Sequence, residues 1–245
     1  MTASPLWSHA SPFRKLFPVV WSPKRIESVK EIQHSGAFRA LRPLVLASAS
    51  PRRRELLGSL GLDFSIRVVE GSEPAPTPDD DPAAYVMRAA QAKAEAVARV
   101  VETPGAVVLG SDTIVVLHET SGPVILGKPA NRDEALAMLL HLSGRTHTVY
   151  TGCCIVWLGE DGPRTELFHD AADVTFAEWP EDVLRAYAAT GECDDKAGSY
   201  AIQGLGSFLV SEIRGQWATI VGLPVLAVAK RLLEGGGIEG RQAKI

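Results

Sequence analysis

The chain has 245 residues, 46% of them hydrophobic and 22% charged, so it can bury a full-sized core and is not disordered as a whole. A net charge of -4 and a pI near 5.9 give no electrostatic footprint for general nucleic-acid binding. Cys153 and Cys154, adjacent in an apolar run, and the lone Cys193 match neither a disulfide framework nor a zinc spacing, and no apolar stretch approaches the ~18 residues of a membrane span. The expectation is a cytoplasmic protein with reduced thiols, no nucleic-acid partner and no membrane partner.

Residues 1–42 carry seven basic residues against Glu27 and Glu31, and Pro5, Pro12, Pro18 and Pro23 interrupt any helix. They read as a loosely ordered extension, with the ordered domain spanning 43–236 and a tail at 237–245. Within the domain, apolar strands alternate with helical patterns, which predicts an α/β fold. Leu44–Ala47 reads as a strand, Pro51–Leu60 as a helix stopped by Gly61, and Phe64–Val69 as a second strand. A Pro/Asp-rich loop follows. Asp81 as N-cap and Pro82 at the first helical position open a long Ala-rich helix to about Val101, and Val107–Leu117 is a strand. Asn131–Leu142 is a helix, His147–Leu158 and Glu166–Phe176 are paired strands, and Pro180–Thr190 and Pro224–Leu233 are the last helices.

Three features carry chemistry. In LVLASASPRRRELL, Leu44–Leu57, Ser50 and Pro51 specify a helix start, yet Arg52, Arg53 and Arg54 crowd the positive end of its dipole. Free backbone N–H groups, guanidinium forks and the hydroxyls of Ser48 and Ser50 make a phosphate site, the alternative being a solvated basic turn paired with Glu55. In VVLGSDTIVVL, Val107–Leu117, Asp112 interrupts an apolar strand. A buried carboxylate needs a pair, hydrogen bonds or a metal, unless it marks the strand's exposed end. Lys93 lies on the core stripe of the Ala-rich helix, where it either snorkels to the rim or points its ammonium into a cleft. Lys128, between Gly127 and Pro129, sits in a turn and taken singly is a surface lysine. No zinc-spaced histidine pair, nucleophile elbow or P-loop is present, and His147 between two threonines reads as structural.

Taken together, LASASPRRRELL, the AQAKAEAVA helix, GSDTIV, ILGKP, EALAMLLHLSGRTHTVYTG, DDKAGSYAIQG and IVGLP resemble the Maf family, the septum-formation-protein-like nucleotide pyrophosphatases, over about Leu44–Leu233. The resemblance implies an α/β fold with a mixed, elongated β-sheet flanked by helices, two lobes around a cleft, and a homodimer. It places Ser48, Arg52 and Arg53 on the phosphates, Lys93 and Lys128 against the triphosphate, and Glu73 and Asp112 at a divalent metal, Mg²⁺ or Mn²⁺. Asp112 is the implied proton acceptor, activating water to release pyrophosphate from a nucleoside triphosphate. Arg52, Thr113 and Gln203 match positions tied to base selection in the dTTP/UTP branch, and the glutamine of IQG separates it from the 7-methyl-GTP branch. Glu73 departs from the family's Asp-Glu context, lying in GSEPAP instead. The alternatives are a 7-methyl-GTP-type pyrophosphatase and, from another class, a non-enzymatic, nucleotide-binding regulator of septum formation.

Overall fold

A computed structural model describes residues 36–71, 74–77 and 80–241. Its main sheet runs β3(Ser65–Ile66), β2(Leu44–Leu46), β4(Val107–Glu119), β6(Thr146–Gly159), β7(Gly162–Phe176), β8(Val210–Arg214), with β5(Gly122–Leu126) also pairing β4. β2 is parallel to β3 and β4, whereas β4–β6, β6–β7, β7–β8 and β4–β5 are antiparallel, so the sheet is mixed as expected. The long hairpin strands β6 and β7 turn at Gly159 and Gly162, the latter at φ 101°, a conformation that glycine adopts without a Cβ penalty.

The helices form where the sequence places their starts. α1(Pro51–Gly58) has Ser50 as N-cap, accepting from the Arg53 amide at 3.5 Å, and Pro51 in its first turn. α2(Pro82–Ala98) begins at Asp81, whose carboxylate accepts from the Ala84 amide at 2.9 Å. α3(Arg132–Leu142) is capped by Asn131, and α4(Glu181–Ala189) and α6(Val225–Glu234) follow Pro180 and Pro224. The short α5(Trp217–Val221), β5 and β8 have no counterpart in the sequence reading. β5 and β8 lie largely exposed, which removes the apolar alternation that announces a half-buried strand.

Two boundaries need correction. β1(Phe38–Ala40) pairs antiparallel with β9(Ile238–Gly240), and Phe38, Ala40 and Ile238 pack into the core around Leu46 and Trp157. Order therefore begins before Leu44, and the segment read as a tail supplies a strand. The remainder of the extension, residues 1–35, and the terminal 242–245 lie outside the described residues.

Strand alternation distributes the core. The even positions of β4, Val108, Ile114 and Val116, face the Ala-rich stripe of α2. On the odd face Val107 and Leu109 join one cluster with Leu223, Val228 and Leu232, while Val115 and Leu117 join another with Leu139, Phe176 and Leu184. Ser111 and Thr113 stand between these two clusters. The division of the odd face into two hydrophobic clusters thus follows from a polar break in one strand.

Candidate active site

β4 changes partners along its length. Residues 107–109 pair with β2, 115–119 pair with β5, and both neighbours lie on the same edge. Among the described residues no strand therefore pairs with 110–114 on that edge, and the β2–α1 turn points into the gap. Open sheets bind ligands where strand order changes in this way.

A cleft of about 790 Å³ opens there, a volume suited to a nucleotide-sized ligand. Ser48, Arg52, Arg53, Lys93, Asp112, Thr113, Lys128 and Gln203 all line it, so every described residue proposed from sequence is brought together. Glu73 lies outside the described residues. Among the described residues five cations, the four just named plus Lys196, face three carboxylates, Asp112, Glu70 and Asp195, so the described lining is net cationic and favours an anion.

Lys93 does not snorkel outward. Its ammonium donates to Asp112 Oδ1 at 2.6 Å, and only 13% and 14% of the two side chains remain exposed. Glycine makes this approach possible. A Cβ on Gly110 would stand 2.5 Å from the Ala90 carbonyl oxygen, and one on Gly152 would stand 2.4 Å from that of Val86, so α2 lies against bare backbone.

On the opposite face Arg53 ties three segments together. Its Nε donates to the Gly222 carbonyl at 2.9 Å, Nη2 to Thr113 Oγ1 at 3.1 Å and Nη1 to Ser48 Oγ at 3.4 Å. Ser111 donates to the same Gly222 carbonyl at 2.9 Å, which fixes the loop after α5 against β4. Ser48 Oγ also accepts from the Ser50 amide at 3.2 Å, so its own proton is the part of that hydroxyl left for a ligand.

The wall carrying Gln203 is held from behind. Glu192 accepts from the amides of Leu205 and Gly206, each at 2.8 Å, and from the Tyr187 hydroxyl at 3.0 Å. Tyr187 in turn accepts from the Ala201 amide at 3.1 Å. Tyr200, also lining the cleft, shares a 2.9 Å hydrogen bond with His147 Nε2. Burial, offset in part by Asp173, lowers the His147 pKa to about 4 and keeps the ring neutral, in agreement with a structural histidine.

Sequence reasoning missed Lys196 and Asp195. Lys196 Nζ donates to Asp195 Oδ1 at 2.6 Å and to the Glu192 carbonyl at 2.5 Å. Burial raises the Asp195 pKa, but the Lys196 hydrogen bond and charge, with Arg52, hold it below the ordinary value. The turn that follows them is strained: Gly198 at φ 68° and Ser199 at φ 60° are consecutive left-handed residues, Ser199 being the one non-glycine of that kind among the described residues. A Cβ on Gly198 would reach 2.9 Å from the Val115 side chain, and the Gly198 amide bonds the Gly127 carbonyl beside Lys128. Such strain concentrates at functional sites.

Fold and cleft define a mixed α/β protein with a cationic, nucleotide-sized site built around one carboxylate. The chain belongs to the Maf family, whose model, described as Maf-like protein, matches residues 43–235. It is 48% identical to a dTTP/UTP pyrophosphatase of Nitratidesulfovibrio vulgaris, over 83% of this chain and 93% of that protein. Proteins of the same name from Lawsonia intracellularis and Deinococcus radiodurans are 44% and 43% identical, covering 82% and 80% of this chain and 87% and 93% of theirs. Among solved structures, a nucleoside-triphosphatase / dITP/XTP pyrophosphatase from Mycobacterium abscessus matches 79% of this chain and 97% of its own at 15% identity and a TM-score of 0.36, too slight a likeness to bear on the assignment.

Proposed function

We propose that this chain is a nucleoside triphosphate pyrophosphatase that hydrolyses dTTP, UTP and related pyrimidine nucleotides to the monophosphate and pyrophosphate. The observation that carries the reading is the Lys93–Asp112 pair in a cleft whose described lining is net cationic and includes Gln203. Relatives sharing most of their length with this chain bear that activity in their names.

In this reading Asp112 orients a water molecule and takes its proton as the oxygen attacks the α-phosphorus. The bond from that phosphorus to the oxygen bridging the β-phosphate breaks, and pyrophosphate leaves. Arg52, Lys93 and Lys128 neutralise the triphosphate, and the Ser48 proton meets a phosphate oxygen. Arg53 orients Ser48 toward the phosphates and Thr113 toward the sugar–base region. Gln203 offers a donor and an acceptor to a thymine or uracil edge.

Among the described residues no group of three or more His, Cys, Asp or Glu could hold a metal by itself. Mg²⁺ is commonly held by one or two carboxylates together with substrate phosphates and water, and a single hard carboxylate beside a triphosphate-sized cleft fits that pattern. Asp112 would hold Mg²⁺ or Mn²⁺, with Glu73 as the second carboxylate. When bound, the ion supplies charge neutralisation on the phosphates.

No helix among the described residues is long and apolar enough to cross a membrane. The proposal includes a cytoplasmic homodimer, which fractionation and light scattering test. The main test is pyrophosphate release across dTTP, UTP, ATP, GTP and 7-methyl-GTP with Mg²⁺ or Mn²⁺. Preference for dTTP and UTP is expected; release confined to 7-methyl-GTP, or none with any nucleotide, refutes the reading.

A further inference from the structure

Between the two odd-face clusters of the sheet runs a chain of hydrogen bonds whose proton directions follow from counting. Thr151 Oγ1 lies 2.7 Å from the Thr219 carbonyl oxygen, which can only accept, so the single Thr151 proton is spent there. Thr151 Oγ1 also lies 3.0 Å from Thr113 Oγ1, and with its own proton committed it must accept in that contact. Thr113 therefore donates to Thr151. Arg53 Nη2, a donor only, occupies one Thr113 lone pair at 3.1 Å. What Thr113 has left for the cleft it lines is one lone pair and no proton.

The direction is held firmly because its far end is buried. Thr151 and Thr219 are fully buried, and the Thr219 hydroxyl donates in turn to Asp170 Oδ2 at 2.5 Å, pinning the residue whose carbonyl takes the Thr151 proton. Turning the Thr113 proton toward the cleft would leave a buried Thr151 lone pair facing an oxygen with no hydrogen between them.

We infer that Thr151 is a positioning residue for nucleotide selection: it draws the Thr113 proton away from the cleft, so Thr113 meets the nucleotide as an acceptor and selects a ligand N–H or O–H at that point. The inference rests on the reading of the cleft as a pyrimidine nucleotide site. Two groups of such a nucleotide carry the required chemistry, the imide N–H of uracil or thymine and a sugar hydroxyl. A bare ring nitrogen, as in cytosine, would face Thr113 lone pair to lone pair.

The test measures kcat/KM for dTTP, for dCTP, which lacks the imide N–H, and for 3′-deoxythymidine triphosphate, which lacks the sugar hydroxyl. The unaltered chain is expected to disfavour one of the two analogues about tenfold, and which one identifies the donor. In Thr151→Val the Thr113 hydroxyl is free to turn, and that penalty should shrink to within about threefold, while Thr151→Ser keeps it. Thr113→Val, which needs no change at the buried Thr151, should lose the same discrimination. A Thr151→Val protein that melts lower but keeps the tenfold ratio, an unaltered chain that treats both analogues as dTTP, or a Thr113→Val protein with undiminished discrimination overturns the role. An unaltered chain that hydrolyses no pyrimidine nucleotide overturns instead the reading beneath it.

Discussion

The Lys93 ammonium stands 2.6 Å from the Asp112 carboxylate, across the seam between α2 and β4. An ion pair this enclosed holds the carboxylate in one orientation, and any anion entering the cleft competes with Asp112 for the same ammonium. Asp112→Asn keeps an oxygen for Lys93 while removing the proton acceptor. Turnover should fall at least about 100-fold in a protein that still folds but melts lower, because the Lys93 ammonium loses its counter-charge. Wild-type turnover in this variant would make Asp112 structural.

The seam itself can be widened. Alanine at Gly110 or Gly152 would bring a Cβ against α2 main-chain atoms at 2.5 and 2.4 Å, and backbone cannot rotate aside as a side chain can. Each variant should lose about 1–3 kcal/mol of stability as α2 moves outward. Because that movement separates Lys93 from Asp112, kcat should fall as well. Urea unfolding combined with initial rates checks both, and an unchanged midpoint in Gly110→Ala would show that the helix does not need the bare backbone.

Glu192 touches three donors of the wall that presents Gln203. Glu192→Gln exchanges a charge-assisted acceptor pair for a single carbonyl acceptor and an amide donor that faces other donors. The expected outcome is a rise in KM for dTTP of roughly tenfold with a smaller change in kcat, since the wall binds the nucleotide rather than the water. Equal losses in kcat and kcat/KM would place Glu192 in the chemical step instead.

His147 contributes a pH-dependent share of stability. Its folded pKa is depressed to about 4, from 6.5, so the unfolded chain binds more protons between those values. Stability from this group is fully present above about pH 6.5 and is lost as pH falls toward 4, amounting to about 3 kcal/mol in all. Replacing His147 with phenylalanine removes the titration. The difference in unfolding free energy between wild type and His147→Phe should therefore change across pH 7.5–4.5, and a constant difference would contradict the burial argument.

The pairing of β1 with β9 makes the edge of the extension measurable. Phe38 and Ala40 pack on the core, and the Arg39 guanidinium is paired with Glu239. Deletion through Ala40 should melt several degrees below deletion through residue 35, because only the first removes apolar contacts and a strand. Identical melting curves would show that β1 contributes nothing.

The sequence by itself determined the elements with local signals. Ser50–Pro51 and Asp81–Pro82 start their helices through caps and a preset φ, and the apolar runs of β4, β6 and β7 announce buried strands without knowledge of their partners. It also marked Asp112, because a carboxylate among Ile114, Val115 and Val116 has no local justification. Only the tertiary structure decided that Lys93 turns inward, since that depends on Gly110 and Gly152 letting α2 approach the sheet. It alone joined Arg53 to Gly222, 169 residues away, and Thr151 to Thr219. β1, β5, β8 and β9 were invisible for a related reason: short or exposed strands owe their form to pairing with distant segments, and a polar network is set by where those segments meet, which no window of sequence contains.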